Sequence, residues 1–267
     1  MILSMSLVIS FVLVSAFAYL PSYVEESVLE KERLHILKLE ATYNTRDLGD
    51  YETLGGKVTK RGIFLRSDDT DELTENDITV LKNYGIKTVI DMRDHDSAEK
   101  WPDKLSNAKD IIYYHIGIGE AHRNPNGGYT SYLEYTGEEN VIKKLFDIIS
   151  KDDTGAILFH CVGGKDRTGI LSLLLLGLVG VNNESIIENY IVSYDLIKDR
   201  PKIKEIIEKD VEKLGGSCLA TLHYSSRENI VSSIDYISKN YGTYENYLLA
   251  CGITKESLKK IKDKFLE

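Results

Sequence analysis

The chain is short of cysteine and of basic charge, and it has no internal repeat. Its 267 residues hold three cysteines, Cys161, Cys218 and Cys251, an odd count that disulfides cannot fully pair. Cys218 and Cys251 could bridge in an oxidising compartment or stand as two inert thiols; the sequence leaves both readings open. His35, His95, His115, His122, His160 and His223 are scattered, and no Cys or His cluster has zinc spacing. Neither a metal nor a cofactor is therefore expected. Lysine and arginine number 33 against 42 aspartates and glutamates, a net charge of −9. That balance argues against nucleic-acid binding, which needs a basic stripe, although a local basic mouth can exist inside an acidic protein. A Walker-type nucleotide loop is excluded, because Gly164-Lys165 is followed by Asp166 rather than Ser or Thr. No low-complexity tract or linker divides the chain, and its 42% apolar and 28% charged residues are globular values. A chain of this length can fold as one α/β domain with a full core.

Long apolar runs are also scarce. The first, residues 1–18, contains no charged side chain, and Ala16-Phe17-Ala18 fits a signal-peptidase site. Export with cleavage is the expectation, or membrane anchoring if the run stays uncut, since to Leu20 it is just long enough to span a bilayer. No Lys or Arg precedes it, so its n-region is weak. The second run, Ile170 to Val181, has twelve residues and reads as a buried helix.

What the chain does have is His160-Cys161-Val162-Gly163-Gly164-Lys165-Asp166-Arg167-Thr168-Gly169, set between the strand-like Ala156 to Phe159 and that second run. A cysteine, five residues and an arginine at a strand-to-helix turn make a pocket for a phosphate dianion. Gly163 and Gly164 let the backbone bend so that successive N–H groups, from Val162 onward, point inward. The following helix adds its positive end. Arg167 can grip two phosphate oxygens through its planar fork. The same field favours the sulfur anion, which makes Cys161 the candidate nucleophile. Thr168 could donate to that sulfur or cap the helix. Lys165 adds a second cation, for a further phosphate on an inositol ring or as an exposed lysine that only raises the potential. His160 is expected to orient the loop rather than act as a base.

These ten residues resemble the signature loop of the cysteine-dependent protein-tyrosine phosphatase superfamily. The Gly-Lys-Asp-Arg-Thr-Gly version is similar to a bacterial branch, often secreted, that acts on phosphotyrosine and in some members on phosphoinositides. Asn44-Thr45-Arg46-Asp47-Leu48-Gly49, Gly62 to Ser67, Gly85 to Arg93 and the segment from Tyr241 to Thr254 follow that branch's order, so the resemblance covers roughly residues 38 to 267. It implies a single catalytic domain with a phosphatase-like central sheet flanked by helices and a helical C-terminal part. It also implies a phosphocysteine intermediate on Cys161, with phosphotyrosine proteins or phosphoinositides as substrates.

The general acid is less clearly marked. The branch uses the Asp inside the loop, which maps onto Asp166. Lys165 and Arg167 beside it favour its charged form and oppose an acid role, while a bound dianion pushes the other way. Trp101-Pro102-Asp103 spells the mobile-loop motif of animal tyrosine phosphatases, but it precedes the strand Ile111 to Ile116 and lies 58 residues before Cys161 (161 − 103). It reads as a decoy, leaving Asp166 first, with Asp103, Glu120 and His122 behind it. Two other readings compete. A rhodanese-like sulfurtransferase is disfavoured by Arg167 and Asp166, and a catalytically dead phosphate-binding module by the retention of Cys161 and Arg167.

The scaffold is legible in outline. Thr74 begins a helix with Asp77 as capping partner, and Gly85 ends it. Lys87 to Met92 and Ile111 to Ile116 read as strands, and Val141 to Ile149 as a helix. Leu54-Gly55-Gly56-Lys57 is a hairpin turn. Pro201 suits a first helical position, and Ile203, Ile206, Ile207, Val211 and Leu214 form a stripe that Gly215-Gly216 breaks. Ile230, Ile234 and Ile237 stripe another helix, and Thr254 caps the last. Asp47, Arg46, Arg66 and Arg93 are expected in buried ion pairs around the loop. Residues 117–137 could form a lid or an ordinary surface loop. Strands alternating with helices argue for a sheet covered on both faces.

Overall fold

Alternation along the strands decides how the sheet is covered. The computed structural model describes residues 24–118, 133, 140–214 and 226–267. Its five strands are β1 (Arg46–Asp47), β2 (Phe64–Ser67), β3 (Ile86–Asp91), β4 (Ile112–His115) and β5 (Ala156–His160), in the spatial order β1-β2-β5-β3-β4. β1 runs antiparallel to β2, and the other pairings are parallel. Successive side chains point to opposite faces. Ile157 and Phe159 of β5 therefore join one core with Phe64 and Ile90, and Ala156 and Leu158 join another with Leu65 and Val89.

Helices follow the expected caps. Described helices are α1 (Glu26–Arg33), α2 (Glu75–Tyr84), α3 (His95–Lys100), α4 (Val141–Lys151), α5 (Asp166–Leu178), α6 (Asn183–Ile197), α7 (Pro201–Leu214), α8 (Arg227–Tyr241), α9 (Tyr244–Ala250) and α10 (Lys255–Phe265). In α2 the Thr74 hydroxyl accepts from the Asp77 N–H, the Asp77 carboxylate accepts from the Thr74 N–H, and Gly85 closes the helix at φ +97°. Ile230, Ile234 and Ile237 of α8 are buried in the larger core. Ile203 and Ile207 of α7 join Tyr194 and Ile197 of α6 in a third apolar cluster, against which Val162 packs.

Helix α5 departs from the amphipathic rule. It is buried along its whole length except at Arg167 and Gly177. It runs through the larger core with leucines on every side, which accounts for the uninterrupted apolar run in the sequence. Gly169 and Gly177 permit this: a Cβ at either would lie 2.6 Å from the ring of Tyr190 or Tyr244.

No helix among the described residues is long and apolar enough to cross a membrane. The 1–18 segment, most of the candidate lid, Glu120, His122, Cys218, the Gly215-Gly216 break and the side chains of Val211 and Leu214 lie outside the described residues.

Candidate active site

The loop joins β5 to α5, and its carbonyls are held from outside. His160 Nδ1 donates to the Cys161 carbonyl at 3.2 Å, and the Asp69 N–H donates to that of Val162 at 3.0 Å. Asn44 Nδ2 donates to the carbonyls of Gly163 and Gly164, each at 3.0 Å, and Arg66 Nη2 donates to Gly164 at 2.7 Å. A trans peptide places its N–H opposite its C=O. Four successive N–H groups, of Val162, Gly163, Gly164 and Lys165, therefore face away from these supports, as a phosphate cradle requires. Gly164 makes the bend: its φ is +61°, and a Cβ there would lie 2.5 Å from the backbone of Ser67 and Asp68. Cys161 is buried, and the Thr168 hydroxyl donates to its sulfur at 3.2 Å. Of the two sequence readings of Thr168, this geometry selects the sulfur donor.

Around His160, the last residue of β5, lies a charged network that the sequence does not announce. His160 Nε2 is 2.9 Å from Asp103 Oδ2 and 3.8 Å from Asp91 Oδ1. The Cys161 carbonyl can only accept, so Nδ1 must carry a proton, and Nε2 donates to a carboxylate. An imidazole donating from both nitrogens is an imidazolium. Burial alone would lower the His160 pKa, but the Asp91 charge and the Asp103 hydrogen bond outweigh it and push it up to about 9. Burial likewise opposes ionisation of Asp103, yet His160, Thr70 and the Leu105 N–H hold it below the usual carboxylate range. Asp103 is thus tied to His160, Thr70 and the Leu105 N–H, which favour its charged form.

Trp101, its neighbour in the decoy motif, accepts from Arg93 Nη1 at 2.7 Å through its carbonyl. The nitrogens of Lys100 and Lys202 lie 4.3 and 4.1 Å from the centroid of its ring.

The remaining loop side chains are placed as follows. Arg167 Nη1 donates to Ile118 O at 3.1 Å, Met92 O at 3.3 Å and Asp94 Oδ2 at 3.3 Å, so the segments after β3 and β4 hold it. Asp166 is buried, accepts from the Tyr190 hydroxyl at 3.3 Å and lies 3.4 Å from Lys165 Nζ. Lys165 is 5% exposed, which overturns the reading of it as an exposed lysine.

The expected buried ion pairs need a correction. Arg93 does pair with Asp91, at 2.7 Å, and Arg46 lies 4.0 Å from Glu32. Arg66 is instead held by oxygens of Gly164, Asn189 and Ser193. Asp47 accepts from the N–H groups of Gly49 and Gly62 and from the Tyr84 hydroxyl. Neutral partners suffice because each charge is spread over several hydrogen bonds.

Sequence reasoning missed several supports. Asp68 accepts from the N–H groups of Tyr43 and Asn44 and pairs with Arg200 at 3.1 Å, which sets Asn44 under the loop. Asp94 carries its own signal, since it caps α3 through the Ser97 N–H. Ligand atoms of Asp91, Asp103 and His160 all lie within 4.8 Å of one another. Arg93 and Tyr113 already occupy Asp91, and His160 and Thr70 occupy Asp103, so protein cations balance the charge of this cluster.

Comparison with known proteins agrees with this geometry. Residues 37–267 match the sequence model of a family described as "Tyrosine phosphatase family". A tyrosine-protein phosphatase of Nostoc commune is 29% identical over 230 residues, covering 74% of this chain and 72% of the relative. The triple specificity protein phosphatase PtpB of Mycobacterium tuberculosis is 22% identical over 275 residues, covering 85% and 98%. The crystal structure of P. aeruginosa TpbA is 16% identical and covers 51% of this chain and 71% of that one, with a TM-score of 0.32, an overlap too loose to inform the fold.

Proposed function

The chain belongs to the tyrosine phosphatase family, and on that premise we propose that it removes phosphate from phosphotyrosine in proteins through a phosphocysteine on Cys161. The observation that carries this reading is the set of four successive loop carbonyls tied outward, leaving their amides to face a phosphate. In the first step the Cys161 sulfur attacks phosphorus in line. The S–P bond forms, the P–O bond to the phenol breaks, and the departing oxygen takes a proton from Asp166. Loop amides and the Arg167 fork stabilise the equatorial oxygens. In the second step water attacks phosphorus, Asp166 accepts its proton, and the sulfur leaves as an anion, eased by the Thr168 hydroxyl. Asp166 takes the acid role because Asp103 is bound to His160. His160 keeps its positive charge between Asp91, Asp103 and the Cys161 carbonyl and moves no proton.

Phosphoinositides are the second substrate class for this site. Lys165 puts a cation beside the cradle, and the Mycobacterium tuberculosis relative bears the name triple specificity. The test is phosphate release from a panel of phosphotyrosine peptides and phosphoinositides by the wild type, Cys161→Ser and Asp166→Asn. Cys161→Ser is expected to bind phosphopeptide without turnover, and Asp166→Asn to lose most activity on phenolic esters of high leaving-group pKa. Turnover by Cys161→Ser would refute the nucleophile, and faster release from inositol phosphates would reverse the order of substrates.

A further inference from the structure

Helix α1 buries its glutamate and not its leucine. In Glu26–Arg33 the buried residue is Glu32, which has no exposed surface, while Val28 and Leu29 are only partly covered. A fully buried glutamate is rare unless paired, and this one lies ahead of residues 37–267, the span that matches the family. Its carboxylate accepts from the Tyr51 hydroxyl at 2.9 Å and from Asn189 Nδ2 at 3.2 Å, and stands 4.0 Å from Arg46 Nε.

Arg46 and Arg66 face each other across β1 and β2, and both are fully buried. Two buried cations side by side need a counter-charge. Each also reaches the phosphate loop. Arg46 Nη1 donates to Asn44 Oδ1, and Asn44 in turn donates to the carbonyls of Gly163 and Gly164. Arg66 donates directly to Gly164, and Asn189 bridges the two arginines to Glu32. A continuous path thus leads from the α1 carboxylate to the two carbonyls that aim the Gly164 and Lys165 amides.

We propose that Glu32 is a positioning residue for the phosphate loop: α1, outside the family-matching span, supplies the carboxylate that keeps Arg46 and Arg66 where they can hold the loop carbonyls. Without it the two cations repel and seek other acceptors, and the amides lose their aim. This rests on the phosphatase reading above.

The test compares wild type with Glu32→Gln, Tyr51→Phe and Glu30→Gln in the full chain. It measures kcat and KM on a phosphotyrosine peptide, competitive inhibition by orthovanadate and the thermal midpoint. Glu32→Gln keeps the side-chain volume and removes the charge. It is expected to raise the vanadate inhibition constant about tenfold and to lower kcat/KM by about 10², the cost of a misaimed cradle. Tyr51→Phe keeps the charge and the Asn189 bond but removes the tyrosine donor to the carboxylate, and should shift the same constants a few-fold. Glu30→Gln, on the exposed side of α1, should change neither. A folded Glu32→Gln with wild-type vanadate inhibition and turnover would overturn the proposal, even with a lowered midpoint. If Glu32→Gln does not fold, Tyr51→Phe decides: unchanged constants there would equally overturn it. Failure of vanadate to inhibit the wild type would refute the phosphatase reading instead.

Discussion

Replacing Asp103 by asparagine tests the charged network around His160. In the folded protein His160 is pushed up to about 9 from its ordinary 6.5, against burial, by Asp91 and by the Asp103 hydrogen bond. A raised folded-state value means that the stabilisation is fully present below 6.5 and is lost as pH rises through about 9. Moving from 6.5 to about 9 corresponds to at most about 3–4 kcal/mol. Asp103→Asn preserves shape and one hydrogen-bond acceptor but deletes the charge, so His160 should titrate closer to its ordinary value. Urea unfolding of wild type and variant at intervals from pH 6 to 10 gives the difference in stability. That difference should be largest near pH 6 and shrink by one to about 3 kcal/mol by pH 10. The His160 ring resonances should titrate near pH 9 in the wild type and lower in the variant, where Asp91 alone still raises the midpoint. A stability difference that stays constant across this range, or a His160 midpoint near 6.5 in the wild type, would show that the imidazolium assignment is wrong.

Other substitutions probe separate parts of the site. Gly164→Ala forces a side chain into a left-handed backbone and against Ser67, so it should cost at least about 1–2 kcal/mol in urea unfolding and nearly all turnover; near-normal kcat would mean that the bend is not required. Thr168→Ala removes the donor to the sulfur, and phosphocysteine should accumulate as a burst of p-nitrophenol with kcat down on the order of 10²; the absence of a burst would place the slow step elsewhere. Asp94→Ala releases Arg167 Nη1 from one of its three acceptors and should raise KM about tenfold more than the isosteric Asp94→Asn does. Burial opposes ionisation of Asp94, yet the Ser97 bonds and Arg167 hold its carboxyl below the usual range, so its stabilising contribution should vanish as pH falls through that lowered value. Acid unfolding of wild type and Asp94→Ala should therefore converge at low pH.

The parts legible in the sequence are those that contiguous residues determine. Thr74, Asp77 and Gly85 fix α2 because a capping box and a left-handed stop act within a few residues of one another. The loop from His160 to Gly169 is legible because cysteine, glycines and arginine must all follow one another in one turn. Supports that come from elsewhere in the chain leave no local trace. Glu32 and Asn189 are 157 positions apart, and nothing in either neighbourhood points to the other. Spacing argues against Trp101-Pro102-Asp103 as an acid loop. It could not show that Asp103 turns inward to His160, because that depends on where the segment after α3 crosses the end of β5. The buried state of Lys165 was hidden for the same reason, since α6 and α7 fold over the loop from later in the chain.

Helix α5 carries the reactive turn on the tip of a rod wrapped in leucine on nearly every side. Such an element opens to solvent only when the whole domain does, and its amides should be among the slowest to exchange with deuterium. The enzyme then has little room to soften locally around its cysteine before it melts. Heat inactivation and loss of the fold should coincide, and any flexibility used for substrate entry must come from the rim rather than the floor.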